Sequence, residues 1–239
     1  MPEVIIGKDN FAAKLESNPM WEAIKWKNFV QKGKIAVLVI DAENDCLHEK
    51  GNLSKIGWTS WKFARESGSI DNIKRVVNAA RTINAPVFWT RVVRQKGYPD
   101  SLPGTFDQAY VNFLSSVIPG VFEEGSWDIE IFDELKEIMT PQDIIIDKPA
   151  SGSFEGTILE RCLTSMGATT LIVTGYFTDF CVESTVRSAF DKGYLSIIAG
   201  DACDSRVLEA HAASLQQMEN DFGHVVSTDD VVALINSLS

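Results

Sequence analysis

Short apolar segments alternate with helix-length amphipathic segments along most of this 239-residue chain, and this alternation limits the possible folds more than any other feature. Residues 34–40 read KIAVLVI, an almost wholly apolar run that is typical of a parallel strand buried on both faces. Later strands are predicted at 86–92, 143–147, 169–175 and 194–200, with a short strand and a helix at the end. The predicted helices are 70–84, a segment near 127–139, 154–166, 182–192 and 207–221. Strands separated by helices build βαβ units, so we predict a three-layer α/β/α, doubly wound fold with a mostly parallel sheet of about six strands.

The alternation covers residues 33–239, which we interpret as one domain. Residues 1–32 have no clean period and contain two tryptophans among charged residues, so we expect an N-terminal extension that packs on the domain or on a partner subunit. Two long connections, 42–69 and 93–126, follow the first and second strands. Connections of this length in a compact domain often line a functional site.

Composition and charge exclude several classes of protein. The chain has 22 Lys and Arg against 33 Asp and Glu, a formal charge of −11, which disfavours a nucleic-acid or anionic-membrane surface. The first residues lack a signal-peptide pattern, and no apolar run reaches the ~20 residues of a membrane span. The cysteines form no CxxC pair, and no nucleotide-binding glycine motif is present. We expect a cytoplasmic protein with reduced thiols, without metal or cofactor.

Three reactive side chains come directly after predicted strands. Asp41 ends AVLVID, Lys148 follows DIIID, and Cys181 follows TLIVTGYFTDF. Taken singly, each has an ordinary interpretation as a turn cap, a solvated loop residue or a core thiol. In a parallel sheet, however, they share the rim where ligands bind. Together they supply the parts of nucleophilic acyl transfer, because a thiolate is stabilised at a helix N-terminus and by Lys148, and Asp41 can take its proton.

These segments resemble the isochorismatase-like cysteine hydrolase superfamily, over about residues 34–235. The most specific match is TGYFTDFCVESTVRSAFDKGY with the following IIAGDAC, and VLVIDAEND and IIIDKPASGSF are similar to the family's two other blocks. The resemblance implies that Asp41, Lys148 and Cys181 form a catalytic triad. It also implies a cis peptide between Tyr176 and Phe177, with the N–H groups of Phe177 and Cys181 forming an oxyanion hole.

The first block departs from the family pattern D-x-Q-N-D-F. Glu43 replaces a neutral amide and Cys46 replaces an aromatic residue that often borders the pocket, so both are candidate pocket residues. Nicotinamidases of the family bind a metal through an Asp-x-His and a further histidine. This chain has no matching motif, and we interpret His48, His211 and His224 as structural, which disfavours a metal site and nicotinamidase activity.

Other pocket candidates lie in the long connections and near the strand ends. Trp58 and Trp61 in GWTSWKF either line the pocket or pack against the protein or another subunit. Arg91, like Arg94, either holds a substrate carboxylate or forms a salt bridge. Tyr176 completes the set because it precedes the predicted oxyanion hole.

We therefore predict a cysteine-dependent amidohydrolase that cleaves a linear C–N bond of a small amide, ureido or carbamoyl compound through a thioester. Residues 123–135 and 144–154 look most like the ureidoacrylate and biuret hydrolase branch. Two alternatives stay open: isochorismatase-type vinyl-ether hydrolysis, which needs the acid but not the thiol, and a non-catalytic ligand-binding or scaffold protein. A homo-oligomer, dimer or tetramer, is expected in each case.

Overall fold

A computed structural model describes residues 15–238 of the chain. Its centre is a sheet of six strands in the order β3-β2-β1-β4-β5-β6, in which every neighbouring pair is parallel. The strands are β1 (Ile35–Ile40), β2 (Val87–Val92), β3 (Ile144–Lys148), β4 (Thr170–Tyr176), β5 (Leu195–Asp204) and β6 (His224–Val226). The predicted doubly wound parallel sheet is confirmed.

Helices cover both faces of this sheet and give the predicted three layers. The helices are α1 (Met20–Ala23), α2 (Asn44–Leu47), α3 (Asn52–Lys55), α4 (Ser60–Ser67), α5 (Ser69–Thr82), α6 (Phe106–Val117), α7 (Asp133–Lys136), α8 (Leu159–Ser165), α9 (Glu183–Asp191), α10 (Leu208–Asp221) and α11 (Thr228–Asn236), with a 3-10 turn at Trp26–Phe29 and a π-helical turn at Thr178–Val182. α5 and α11 pack on one face, and α8, α9 and α10 pack on the other. None of the described helices has the length and apolar character required to cross a membrane.

The central strand β1 explains the apolar run in the sequence. Ile35, Val37 and Val39 belong to the core under α5 and α11. The intervening residues Ala36 and Leu38 belong to the core under α8, α9 and α10. Because successive side chains of a strand point to opposite faces, a strand covered by helices on both sides has no position for a polar residue.

One predicted helix is wrong, and the two long connections are more regular than expected. Near 127–139 the chain forms only the single turn α7, because residues 127–130 form a separate turn and the next residue pairs with a distant segment. Ile131 forms an antiparallel bridge with Glu43, and the Asn44 N–H donates to the Glu130 carbonyl at 2.9 Å. Pairing with a distant segment overrides local helical spacing here. The connection after β1 contains α2, α3 and α4, and the connection after β2 contains α6.

The described part of the N-terminal extension packs on the domain. Trp21 and Trp26 are each 5% exposed and belong to the core under α5 and α11. The Trp21 indole N–H donates to the Glu219 carbonyl at 2.9 Å, and the centres of both indole rings lie 5.5 and 4.8 Å from the His224 ring. The first 14 residues of the predicted extension lie outside the described residues.

Candidate active site

The carboxyl ends of the strands meet at the point where the strand order reverses. β1 pairs with β2 on one side and with β4 on the other. The chain continues from β1 through β2 to β3 on one side, and β4, β5 and β6 then follow on the opposite side of β1. A crevice forms at such a switch point and is the usual ligand site of a doubly wound sheet. Asp41 directly follows β1, Cys181 lies in the π-helical turn after β4, and Lys148 is the last residue of β3.

Lys148 and Asp41 form a buried ion pair on this rim. The Lys148 Nζ lies 2.8 Å from Asp41 Oδ2, and the two side chains are 0% and 3% exposed. The ammonium also donates to the carbonyls of Ala150 and Ser151 at 2.8 and 2.9 Å. The Thr90 hydroxyl donates to Asp41 Oδ1 at 2.6 Å. Hydrogen bonds on both partners offset the cost of removing the two charges from water.

The pKa of Lys148 shows which form the ion pair takes. Burial by itself lowers this pKa, but the Asp41 carboxylate and the other acidic groups around the ammonium outweigh burial and hold the pKa above its usual value. Lys148 is therefore a permanent cation, and it favours the ionised form of any acid that faces it.

Cys181 is placed by the segment that connects β4 to α9. The peptide between Tyr176 and Phe177 is cis, as the resemblance implied. The N–H groups of Phe180 and Val182 then donate to the Phe177 carbonyl at 3.0 and 3.1 Å, and this closes the π-helical turn around the cysteine. The turn continues directly into α9, so the thiol lies in the first turn of a longer helix.

Three influences act on the pKa of the Cys181 thiol. Burial raises this pKa well above the ordinary value, the Asp41 carboxylate raises it further, and Lys148 lowers it. The ion pair with Asp41 offsets the positive potential of Lys148 at the sulfur. The thiolate expected from the sequence stays a prediction.

Glu43 and Cys46 lie beside these three residues. The Val92 N–H donates to Glu43 Oε1 at 2.6 Å. Burial, followed by the Asp41 and Asp45 carboxylates, raises the pKa of Glu43 well above its ordinary value. Burial also raises the pKa of the Cys46 thiol, and Glu43 adds to this. At both residues that depart from the family pattern, burial and the neighbouring acids therefore favour the protonated form.

A cavity of about 490 Å³ opens onto Asp41 and Cys181. Its volume lies within the range of about 300–1,000 Å³ that is usual for sites of small organic ligands. The lining groups include the triad residues Asp41 and Cys181, the predicted pocket residues Glu43, Cys46, Trp58 and Tyr176, the predicted oxyanion residue Phe177, and apolar side chains from α6 and from the segment after it. Phe106, the first residue of α6, is 83% exposed, so the cavity is open to solvent at this end of the helix.

Two predicted pocket residues are corrected by the structure. Trp61 lies on α4 and Arg91 on β2, and neither is among the described residues that line the cavity. The Arg91 guanidinium instead pairs with Asp147 through Nε and Nη2 at 2.7 and 2.8 Å, because the two residues are opposite each other on neighbouring strands. Arg94 does line the cavity, but Asp107 accepts a 2.5 Å hydrogen bond from its Nη2.

Arg206 is a cavity residue that sequence reasoning missed. Its guanidinium lies 4.5 Å from the centre of the Trp58 ring and 5.2 Å from that of Phe177. Its nearest carboxylate, on Asp179, is 3.8 Å away, and its Nε has no hydrogen-bond partner among the described residues. Arg206 follows β5, so the rule that identified the triad from strand ends would also have identified this residue.

The three histidines each have protein neighbours. The His211 Nδ1 lies 2.7 Å from the Thr178 hydroxyl, and burial lowers the pKa of this imidazole to about 4. His224 contacts Glu219 at 3.0 Å, and His48 accepts a hydrogen bond from the Lys50 N–H. Within residues 15–238, no group of three or more His, Cys, Asp or Glu side chains is arranged to hold a metal ion. The absence of a metal from the enzyme stays a prediction.

Known structures share this fold. A cysteine hydrolase from Pseudomonas syringae pv. phaseolicola superposes with a TM-score of 0.75 at 22% identity, covering 88% of this chain and 96% of that one. Nicotinamidase PncA from Bacillus subtilis superposes with a TM-score of 0.66 at 26% identity, covering 81% and 99%. At such identities, the likeness to the first structure shows the fold alone.

Sequence relatives narrow the assignment. Ureidoacrylate amidohydrolase RutB from Methylobacterium radiotolerans is 31% identical over 210 residues, which cover 84% of this chain and 78% of that protein. N-carbamoylsarcosine amidase from Arthrobacter sp. is 34% identical over 171 residues, covering 71% and 62%. The family described as the isochorismatase domain matches residues 35–230. The chain therefore belongs to the isochorismatase family.

Proposed function

We propose that the protein is a cysteine-dependent amidohydrolase that cleaves a linear C–N bond, other than a peptide bond, in a small ureido, carbamoyl or amide substrate. The observation that carries this proposal is the buried contact of Lys148 with Asp41 at 2.8 Å, beneath the cavity that Asp41 and Cys181 line. A nucleophile, a base and a fixed cation share one site with room for a small ligand.

In the proposed reaction, Cys181 Sγ attacks the substrate carbonyl carbon while Asp41 takes the thiol proton. A C–S bond forms, and the carbonyl electron pair moves to the oxygen. Asp41 then returns the proton to the leaving nitrogen, the C–N bond breaks, and ammonia or an amine departs to leave a thioester. Water attacks the thioester carbon while Asp41 takes one of its protons, and a C–O bond forms. The C–S bond then breaks, the acid product leaves, and Asp41 returns the proton to the Cys181 sulfur.

The oxyanion donors and Lys148 stabilise the charges that form in this reaction. The N–H groups of Phe177 and Cys181 are the proposed donors to the oxyanion, and each such donor contributes on the order of 3 kcal/mol to the transition state. Lys148 is held by the Ala150 and Ser151 carbonyls, so it does not reorganise as Asp41 gains and loses the proton. A cation fixed in advance stabilises the Asp41 carboxylate before it takes a proton and again after it has returned one.

The substrate class is supported by Arg206 and by the names of the relatives. Ureidoacrylate and N-carbamoylsarcosine, named for two relatives, each combine a carbamoyl group with a carboxylate. In this chain Arg206 presents a cavity-lining guanidinium whose ion pair with Asp179 is long, at 3.8 Å. A guanidinium binds a carboxylate through two parallel hydrogen bonds. We therefore place the substrate carboxylate at Arg206 and the carbamoyl carbon at Cys181.

Ammonia release from a panel of compounds tests this function. The panel contains ureidoacrylate-like, biuret, carbamoyl-amino-acid and nicotinamide compounds, assayed with the wild-type protein and with Cys181→Ser. We expect release from a ureido or carbamoyl acid that disappears in the variant. Release that persists in Cys181→Ser would contradict the thiol mechanism. Hydrolysis of a vinyl ether in Cys181→Ala would support the isochorismatase-type alternative, and ligand binding without any turnover would support the non-catalytic one.

The predicted homo-oligomer is part of the same proposal. α6 presents Phe106, Tyr110, Phe113 and Val117 at helical spacing on its exposed face. Exposed apolar stripes of this kind commonly mark protein contacts. Light scattering after size-exclusion chromatography measures the mass directly, and a monomer of 26.4 kDa at micromolar concentration would contradict the expectation. A cytoplasmic location stays a prediction.

A further inference from the structure

Glu43 places a second carboxyl group in the catalytic cavity. Its side chain is 1% exposed and lines the cavity together with Asp41 and Cys181. One carboxyl oxygen, Oε1, accepts the Val92 N–H at 2.6 Å, and the other, Oε2, has no hydrogen-bond partner among the described residues. Oε2 is not one of the described side-chain atoms that are fully enclosed without a partner. As part of a side chain that lines the cavity, this oxygen is therefore available to a bound ligand.

The charges around Glu43 determine which form of the carboxyl group occupies the site. The titratable and charged groups that face it are Asp41, Asp45, Cys46, Lys148 and Cys181, with Arg91 farther along β2. The cations of this set already have carboxylate partners, since Lys148 pairs with Asp41 and Arg91 pairs with Asp147. An ionised Glu43 would therefore be a buried anion beside two other acids and without a cation of its own, which is the less favourable form.

The hydrogen bond from Val92 determines where the proton of a neutral Glu43 lies. Because Oε1 accepts the Val92 N–H, the acidic proton belongs to Oε2, the oxygen without a partner. The glutamine of the family pattern D-x-Q-N-D-F is the uncharged counterpart of this group, with one acceptor oxygen and a donor NH₂. A protonated glutamate thus offers the same pattern of acceptor and donor through an O–H.

We propose that Glu43 acts as a neutral carboxylic acid whose O–H donates a hydrogen bond to a second oxygen of the substrate, a carbonyl or a carboxylate near the scissile C–N bond. This inference rests on the proposed function and makes its substrate class narrower. Biuret-like compounds and ureido acids carry such an oxygen, whereas simple alkylureas do not. Glu43 is then a specificity-determining residue, because a site built to donate a hydrogen bond rejects ligands without the acceptor.

Two variants of equal length separate the donor from the side-chain volume. Glu43→Gln keeps a donor but cannot ionise, and Glu43→Met keeps the length but loses the donor. We expect Glu43→Met to lower kcat/KM for biuret and for a ureido acid by about tenfold to hundredfold, mainly through KM, with a much smaller loss in Glu43→Gln. For an N-alkylurea, followed by turnover or as a competitive inhibitor, Glu43→Met and Glu43→Gln should not differ from each other. Equal losses for all three compounds would overturn the proposal. If one acceptor compound alone responds to Glu43→Met, that result identifies the oxygen as carbonyl or carboxylate.

The pH profile supplies a readout that a purely structural role would not change. In the wild type, ionisation of Glu43 at alkaline pH removes the donor and adds an anion beside Asp41, so kcat/KM for the ureido acid falls. In Glu43→Gln this alkaline decline should be absent or moved to higher pH. Superimposable profiles for the two proteins would contradict the inference.

Infrared spectroscopy tests the protonation state without any turnover. The difference spectrum of wild type minus Glu43→Gln at pH 7 should contain a protonated-carboxyl C=O band, and this band should shift when biuret binds to the Cys181→Ser background. A missing band would overturn the inference even if the enzyme hydrolyses the panel. Conversely, a band that shifts with ligand in a protein that releases no ammonia would support Glu43 and contradict the proposed function, so the two failures are distinguishable.

Discussion

The floor and the wall of the cavity are built in opposite ways. The floor consists of Asp41 and Cys181 with Lys148 beneath them, and these residues come from strand ends and from the turn that follows β4. The wall comes from the connections 42–69 and 93–126, with α6 as its largest part, and includes Arg206 after β5. Floor positions are determined by sheet register, whereas wall positions depend on packing of short helices. We infer from this comparison that the sheet positions the proposed reacting groups, whereas the connections shape the cavity and so select the substrates that fit it.

The same contrast holds for the charges. Each floor charge is buried and has its partners: Lys148 contacts Asp41 and two carbonyls, and the Thr90 hydroxyl donates to Asp41. The charged residue that the wall presents without a close partner is Arg206, which lies against aromatic rings at the cavity edge. Groups that take part in the chemistry are preorganised, and the group assigned to the substrate is left available.

The largest expected effect is the loss of the floor nucleophile. Cys181→Ser should lower kcat by about 10⁴-fold or more, because the hydroxyl is a far weaker nucleophile in a site arranged around a thiol. The matched control is Cys162→Ser on α8, away from the cavity, which should keep wild-type kinetics. The measurement is steady-state ammonia release. Comparable losses in both variants would mean that a cysteine substitution disturbs the fold and not the reaction.

The second effect concerns stability and compares two ion pairs. Lys148→Met leaves Asp41 buried beside an apolar side chain and should lower the free energy of unfolding by about 3–5 kcal/mol. Arg91→Met breaks the more exposed pair with Asp147 and should cost less than about 1 kcal/mol. Urea denaturation followed by fluorescence measures both.

A double variant provides the control for this comparison. In Asp41→Asn with Lys148→Met, no charge of the pair remains unpaired, so the protein should be more stable than Lys148→Met alone. If the double variant is less stable than Lys148→Met, an unpaired buried Asp41 is not the cause of the loss, and the expectation for the floor is wrong.

The contrast between floor and wall also explains how far sequence reasoning reached. Asp41, Lys148 and Cys181 were found because each follows an apolar run, and parallel strands bring their carboxyl ends together whatever the connections do. Arg206 was missed because β5 was predicted to end at residue 200, whereas it continues to Asp204. With the predicted strand ending at residue 200, Arg206 was not recognised as a residue that follows a strand end.

The wall was predictable only as a region. The sequence did not distinguish Trp58 from Trp61 as pocket residues. In the structure α4 begins at Ser60 and contains Trp61, whereas Trp58 precedes the helix and lines the cavity. The helix expected near 127–139 failed for a related reason, since the bridge between Glu43 and Ile131 joins residues far apart in sequence. Local periodicity does not contain such long-range contacts.

The third effect tests the wall cation. Arg206→Met should raise KM for a ureido acid by about tenfold to hundredfold and leave kcat within a few fold, because the substrate carboxylate loses a charge-assisted hydrogen bond. For an uncharged ureido compound the two proteins should differ little. Arg91→Met, whose guanidinium is engaged by Asp147 outside the cavity, is the control and should not change KM. An equal effect of Arg206→Met on charged and uncharged substrates would remove the carboxylate from this position.

The smallest effect is expected where floor and wall meet, at Glu43. Its pKa in the folded protein is raised above the ordinary value, so the native state holds a proton that the unfolded state releases. The associated stability is complete below the unfolded pKa and is lost as pH rises towards the folded pKa. Glu43→Gln should remove this decline and flatten the dependence of the unfolding free energy on pH by at most about 1.4 kcal/mol per unit. Asp45 and Asp204, whose pKa values burial raises to about 7 and about 6, give declines of the same sign in both proteins and cancel in the comparison. Parallel stability curves for wild type and Glu43→Gln would mean that Glu43 is ionised in the native state, and the boundary between floor and wall would then carry an unpaired charge.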